Sequence, residues 1–245
     1  MQNKRVNVYL AGSMFCEADR MYNELLAKKL RERCGESIDL YVPQENLSIN
    51  DKTKCADSHA IFWGDYNRLQ NTDIFIARID GDIPPSGTSA EVGIMSQRRQ
   101  YWESEFKAMQ MSEESTSHTK EDLYNQFVKC RGYEPMIIGL CTDSRNPKRT
   151  YLEAKNELMK DKDYESQYCY FNLFTIGCIK VNGQLTTSVD ELVDTVGKIV
   201  DTRVGKRIIK SERFLGSYWD PERGTFSAWK LVSYNDGTEE AIRVE

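Results

Sequence analysis

The sequence predicts an α/β fold: a parallel sheet with helices on both faces, carrying a small C-terminal antiparallel β appendage. Two observations predict it. Short β-type apolar runs alternate with segments whose apolar residues recur at helical spacing, which is the pattern of a parallel sheet covered on both sides. After Gly205 the character changes to aromatic and β-branched residues broken by Gly and Asp-Gly turns.

In chain order, Val6–Ala11 reads as a short buried strand ending at Gly12. Cys16–Arg33 reads as a helix with Met21, Leu25, Leu26 and Leu30 as its apolar stripe. Ile38–Val42 is a second strand, closed by Pro43, and Lys54–Gln70 a helix. Asp73–Ile79 is a third strand, Gly81–Gly87 a loop, and Thr88 to about Tyr101 a helix. Residues from Trp102 to Arg131, rich in Ser, Thr and Glu, read as a polar inserted loop with a helix near Asp122–Lys129. Met136–Cys141 is a fourth strand; Tyr151–Lys160 and Val189–Val200 are helices, the latter facing Leu192, Val193, Val196 and Val200 inward. This gives an α/β domain over 1–204 and a β-rich extension of two or three strands over 205–245.

Composition narrows the function. The net charge of −5, from 33 Lys and Arg against 38 Asp and Glu, argues against wrapping a nucleic-acid backbone. The paired cations Arg98-Arg99 and Lys206-Arg207 read as a solvated helix end and a solvated strand edge. Seven Cys at scattered positions without a CxxC fit reduced thiols in a cytoplasmic protein. His59 and His118 are the only histidines and show no ligand spacing, so no metal is expected. The polar start Met1–Arg5 is no signal peptide, and no apolar run reaches membrane-spanning length.

In a doubly wound sheet, ligands bind beyond the carboxyl ends of the strands. The loops after Ala11, Val42 and Ile79 are therefore the places for chemistry. The third of these runs Asp80-Gly81-Asp82-Ile83-Pro84-Pro85-Ser86-Gly87-Thr88-Ser89-Ala90-Glu91-Val92-Gly93. It places Glu91 in the first turn of a helix at the sheet's ligand edge.

Two readings of Glu91 stand side by side. Thr88-Ser89-Ala90-Glu91 is a capping box, with Glu91 folding back on Thr88. Alternatively Glu91 is a nucleophile: a helix N-terminus favours an ionised carboxylate, Gly87 and Gly93 leave room for a ligand, and a carboxylate attacks an anomeric carbon as a base departs. The leaving base then needs a second acid. Asp65, in Trp63-Gly64-Asp65-Tyr66-Asn67, is the candidate, against the reading of a solvated helix carboxylate. Asp73 reads as a strand-start cap, while Asp80 and Asp82 are placed to meet a base or a ribose hydroxyl. Tyr9 is either a core aromatic with a satisfied hydroxyl or a site residue. The Gly12-Ser13 turn is either an ordinary turn or a phosphate cradle.

These pieces, in order, resemble the nucleoside 2-deoxyribosyltransferases. The resemblance rests on Val8-Tyr9-Leu10-Ala11-Gly12-Ser13-Met14-Phe15, Tyr41-Val42-Pro43, Asp65-Tyr66-Asn67, Thr72-Asp73-Ile74, Gly87-Thr88-Ser89-Ala90-Glu91-Val92-Gly93 and Phe171-Asn172-Leu173. It implies a flavodoxin-like fold and ping-pong transfer of deoxyribose between bases, with no cofactor. It implies Glu91 as nucleophile, Asp65 as the acid assisting the departing base and engaging the sugar, and Tyr9 as the hydroxyl that positions Glu91. Gly12, Ser13, Asp82 and Gly87 would contact substrate. Asn172, which also reads as a helix N-cap, would be lent to a neighbouring subunit's site in a homo-oligomer. The implied partners are small deoxynucleosides and nucleobases. The chain departs from the family where many members carry an Asp six residues before the nucleophile, to contact the base; Pro85 stands there. Gln44 and Asn46 lie near the place where some members have a base-binding Gln.

Three rivals remain at this level. One is a relative that hydrolyses deoxynucleoside 5′-monophosphates with water as acceptor, using Gly12-Ser13 and Arg20 for the phosphate. Cytokinin-activating phosphoribohydrolases share a Gly-Thr-x-x-Glu helix, but Pro84-Pro85-Ser86-Gly87 lacks their longer Gly run. The third is a nucleotide-sensing module without turnover, which would have no need of Glu91, Asp65 and Tyr9 together.

Overall fold

The computed structural model describes residues 5–50, 57–81, 84–112, 119–143, 172–205, 209–220, 225–234 and 239–244. The chain divides into two compact units, Met1–Gly197 and Lys198–Glu245. The first is built on β1 (Val6–Ala11), β2 (Ile38–Tyr41), β3 (Ile74–Arg78), β4 (Met136–Leu140) and β5 (Gly183–Thr186). These pair in parallel in the order β2-β1-β3-β4-β5, the flavodoxin-like order. The described helices are α1 (Glu17–Cys34), α2 (Leu47–Asn50), α3 (Ser58–Gln70), α4 (Ser86–Ser112), α5 (Lys120–Arg131), α6 (Leu173–Asn182) and α7 (Val189–Arg203). The second unit contains the antiparallel sheet β6 (Ile209–Asp220), β7 (Thr225–Tyr234) and β8 (Glu239–Val244), paired in that order.

The chain crosses from β1 to β2 on one side and returns to β3 on the other side of β1. The carboxyl ends of β1 and β3 therefore part their loops, and a crevice opens between them. All of β3 is buried, as a central parallel strand covered on both faces must be. Asp73, expected as a strand-start cap, does this: its Oδ2 accepts the Asn7 amide at 2.8 Å and ties β1 to β3.

The structure corrects several expectations. The inward stripe of α1 is Asn23, Leu26, Ala27, Leu30 and Cys34, while Met21 and Leu25 are exposed. Helix α4 does not stop near Tyr101 but continues to Ser112, and much of the expected polar loop is helical. Trp102 and Phe106, one turn apart on α4, pack on Tyr124 and Phe127 of α5, with centroids 5.0 Å apart for Trp102–Phe127. Four aromatics at i, i+4 and i, i+3 spacing outweigh the polar composition around them.

Arg98 and Arg99 are not a solvated helix end. Arg98 donates to the Thr72 carbonyl before β3, and Arg99 grips Glu134 at 2.6 Å and the Pro135 carbonyl before β4. The fifth strand escaped the sequence reading because Gly-Gln-Leu-Thr is short and follows α6 without a break. It fits the sheet only with glycine at its first position: a Cβ on Gly183 would lie 1.9 Å from the Ile137 carbonyl oxygen. The helix expected over Tyr151–Lys160 lies outside the described residues, as do His118, Lys206 and Arg207. No described helix is long and apolar enough to cross a membrane.

Candidate active site

The crevice is a cavity of about 670 Å³ lined by the loops after β1, β2 and β3 and by the start of α4. Its carboxylates are Asp19, Asp65, Asp80 and Glu91. Gly12, Ser13, Gly87 and Thr88 also line it. Of the remaining expected site residues, Asp82 lies outside the described residues. Asn172 lies apart from this lining and caps α6, where its Oδ1 accepts the Phe174 and Thr175 amides.

Tyr9 reaches the site from within β1. Its ring is buried against Phe75 and Tyr41, and its hydroxyl donates to Glu91 Oε1 at 2.6 Å. The ring is core, as one reading of Tyr9 had it; the residue is fully buried, and its hydroxyl meets the cavity-lining Glu91 from beneath.

The capping box is absent. Helix α4 begins at Ser86, with the Ser89 amide bonded to the Pro85 carbonyl, so Thr88 lies inside the helix and Glu91 in its second turn. Its carboxylate is left for Tyr9. The expected electrostatics change with it. Burial lifts the Glu91 carboxyl to about 7; the Tyr9 bond opposes the rise and the negative charge of Asp65 adds to it. The Tyr9 phenol is held far above its ordinary range, first by burial and then by the charges of Glu91 and Asp65, so it remains a donor.

Asp65 is half-buried on α3, not solvated. Its Oδ1 accepts the Tyr41 hydroxyl at 2.9 Å, and its carboxyl is raised mainly by burial while the Tyr41 bond and the nearby Tyr9 hydroxyl pull it down. Asp80 is anchored on one oxygen by the Thr142 amide and hydroxyl, and burial raises its carboxyl too.

The turn after β1 is pinned from below. Arg78, buried at the end of β3, donates to the Ser13 carbonyl and pairs with Asp19 at 2.8 Å. Asn23 donates to the same carbonyl. The Ser13 hydroxyl, then Cys16 and Arg78, hold the Asp19 carboxyl down at about 2. A Cβ on Gly12 would lie 2.8 Å from Arg78 Nε and 3.1 Å from its Cβ. Gly12→Ala is therefore expected to displace Arg78 and lower stability by about 1–3 kcal/mol in a denaturant titration. At Gly87 and Gly93, by contrast, an added Cβ would meet open space.

The site now has a cavity at the switch point, a half-buried glutamate held by a tyrosine, and a neighbouring aspartate. The family model for nucleoside 2-deoxyribosyltransferase matches residues 8–152, well over half of the chain. The chain belongs to the nucleoside 2-deoxyribosyltransferase family. Members of this family act on nucleosides and nucleobases, and the matched segment contains Tyr9, Asp65 and Glu91.

Among solved structures, a conserved protein from Enterococcus faecalis V583 is 28% identical, over 80% of this chain and 99% of that one, with a TM-score of 0.55. A 2-desoxiribosyltransferase from Leishmania mexicana is 15% identical, over 79% of this chain and 97% of that one, with a TM-score of 0.42. No curated protein sequence matches the chain.

Two residues at this candidate site carry no role in the sequence analysis. Asp19 was invisible as a partner of Arg78, because the pair is 59 residues apart in sequence. Tyr41 stood in a recognised motif with no task attached. Among the described residues, no group of three His, Cys, Asp or Glu is placed to hold a metal ion.

Proposed function

We propose that this protein transfers 2-deoxyribose between nucleobases by a ping-pong mechanism through a covalent glycosyl–Glu91 intermediate. The observation that carries the reading is the 2.6 Å bond from Tyr9 to Glu91 Oε1, beside Asp65 in one cavity. That bond fixes the carboxylate and leaves its second oxygen for attack at C1′.

In the first half-reaction the C1′–N bond breaks, a Glu91 oxygen bonds to C1′, and the proton on Asp65 passes to the departing base nitrogen. In the second, a nitrogen of the incoming base attacks C1′, the ester bond to Glu91 breaks, and the proton of that nitrogen returns to Asp65. No cofactor enters either step. Gly12, Ser13, Asp82 and Gly87 are assigned to substrate contact, and Asp80 to the base end of the cavity, where Pro85 supplies no carboxylate. Asn172 is assigned to the site of a neighbouring copy in a homo-oligomer working in the cytoplasm.

The rival use of this fold, hydrolysis of deoxynucleoside 5′-monophosphates, is disfavoured by charge. Asp19, Asp65, Asp80 and Glu91 line the cavity with no Lys, Arg or His among the described lining residues, and the nearby Arg78 is paired with Asp19.

Incubation with a purine deoxynucleoside, with and without a different free base, separates the readings by chromatography of the products. Transfer requires that a new deoxynucleoside forms when the second base is present. Base release at the same rate with or without acceptor would make the protein a hydrolase. No turnover would turn the reading toward a binding module.

A further inference from the structure

Beside the Tyr9–Glu91 pair runs a second hydroxyl–carboxylate pair. Tyr41 donates to Asp65 Oδ1 at 2.9 Å, and Asn46 Nδ2 donates to the same Tyr41 oxygen at 3.0 Å. A phenol has one proton. With an amide N–H directed at the oxygen's lone pair, that proton is directed at Asp65. Asp65 Oδ1 is thus an acceptor, and a proton carried by this carboxyl sits on its other oxygen.

The arrangement is held in place independently of any ligand. The Tyr41 ring lies against the Tyr9 ring, with centroids 5.1 Å apart, and under the Arg68 guanidinium at 5.0 Å. The turn carrying Asn46 is closed by the Glu45 amide on the Val42 carbonyl and the Asn46 amide on the Pro43 carbonyl. Arg31 clamps Glu45 of that turn with two bonds. Burial lifts the Tyr41 phenol to about 12, so it keeps its proton through the neutral range.

We propose that Tyr41 is a positioning residue of the glycosyl-transfer reaction: aimed by Asn46, it fixes Asp65 so that the proton for the leaving base is carried on one defined oxygen. The inference rests on the role given to Asp65 above. The groups that bear on Asp65 are Tyr41 from β2, Tyr9 from β1 and Glu91 from α4, with Arg68 of its own helix stacked on Tyr41. Tyr41 supplies a bond that favours the charged carboxylate, so its loss raises the Asp65 carboxyl.

The test uses the full chain as Tyr41→Phe and Asn46→Ala. Base exchange is followed across the pH range, and the titration of Asp65 is followed by NMR of carbon-13-labelled aspartate, assigned with Asp65→Asn. For Tyr41→Phe we expect kcat to fall about tenfold with KM changed less than about twofold. The alkaline limb of kcat and the Asp65 midpoint should both move to higher pH. Asn46→Ala should shift both in the same direction by less, and carries the decision if Tyr41→Phe does not fold. Unchanged limb and midpoint, with only a lower melting temperature, would reduce Tyr41 to a packing residue and overturn the proposal. The NMR titration needs no turnover. Absence of exchange in the unmodified protein would therefore defeat the functional reading, while the midpoint would still report whether Tyr41 holds Asp65.

Discussion

Glu91→Gln is expected to lower base exchange by about 10⁴-fold or more, because the amide keeps the shape and the Tyr9 contact but has no charge with which to attack C1′. The loss should fall on kcat and kcat/KM alike. The unmodified enzyme should also lose activity on acidification, with its acid limb near pH 7, where burial has placed the Glu91 carboxyl. The sign is fixed by the chemistry: protonation removes the nucleophile.

The same shift makes a prediction about stability. A carboxyl raised in the folded state binds its proton more tightly there than in the unfolded chain. Its contribution is therefore fully present below the unfolded-state value and is lost as pH rises through the folded value of about 7. Relative to Glu91→Gln, the unmodified protein should lose melting temperature between the ordinary glutamate range and pH 7, and no more above it. A melting-temperature difference that stays flat across that range would contradict the assigned burial.

Asp65→Asn should slow the first half-reaction by about 10²- to 10⁴-fold, the usual contribution of a positioned acid. The effect should be largest for bases that leave poorly without a proton, and smallest for a nucleoside whose base is a good leaving group. The variant should shift the acid limb as well. Asp65 raises the Glu91 carboxyl by its negative charge, so its removal lets Glu91 ionise at lower pH. A slower enzyme whose alkaline limb is lost is the signature of the proton donor; the lowered acid limb reports the removed charge. An alkaline limb retained in Asp65→Asn, or a rate loss independent of the leaving base, would separate Asp65 from proton transfer.

The sequence was most readable where one periodicity dominated. Strands β1 to β4 and helix α7 are runs whose apolar spacing has a single interpretation, and their order implied both the sheet and its ligand edge. It was least readable where packing decided. The four-residue β5 depends on Gly183 fitting against Ile137, and the extension of α4 depends on α5 supplying Tyr124 and Phe127. Both are contacts between segments far apart in sequence.

The site shows the same division. The spacing around Glu91 was consistent with a capping box, and only the helix start at Ser86 removes that option. Helix-end electrostatics suggested a readily ionised Glu91, whereas desolvation raises it, because the carboxylate sits a turn inside the helix and is largely shielded from water. The partnerships Tyr9–Glu91, Tyr41–Asp65 and Arg78–Asp19 span 82, 24 and 59 residues, beyond any local pattern.

The covalent step is the central claim, and mass spectrometry tests it most directly. The protein is incubated with a deoxynucleoside and no acceptor base, quenched in acid, digested and mapped. The account predicts one deoxyribosyl group on the peptide bearing Glu91, removed when a second base is added before the quench and absent in Glu91→Gln. Exchange proceeding at full rate with every peptide unmodified, or the sugar found on a residue other than Glu91, would contradict it.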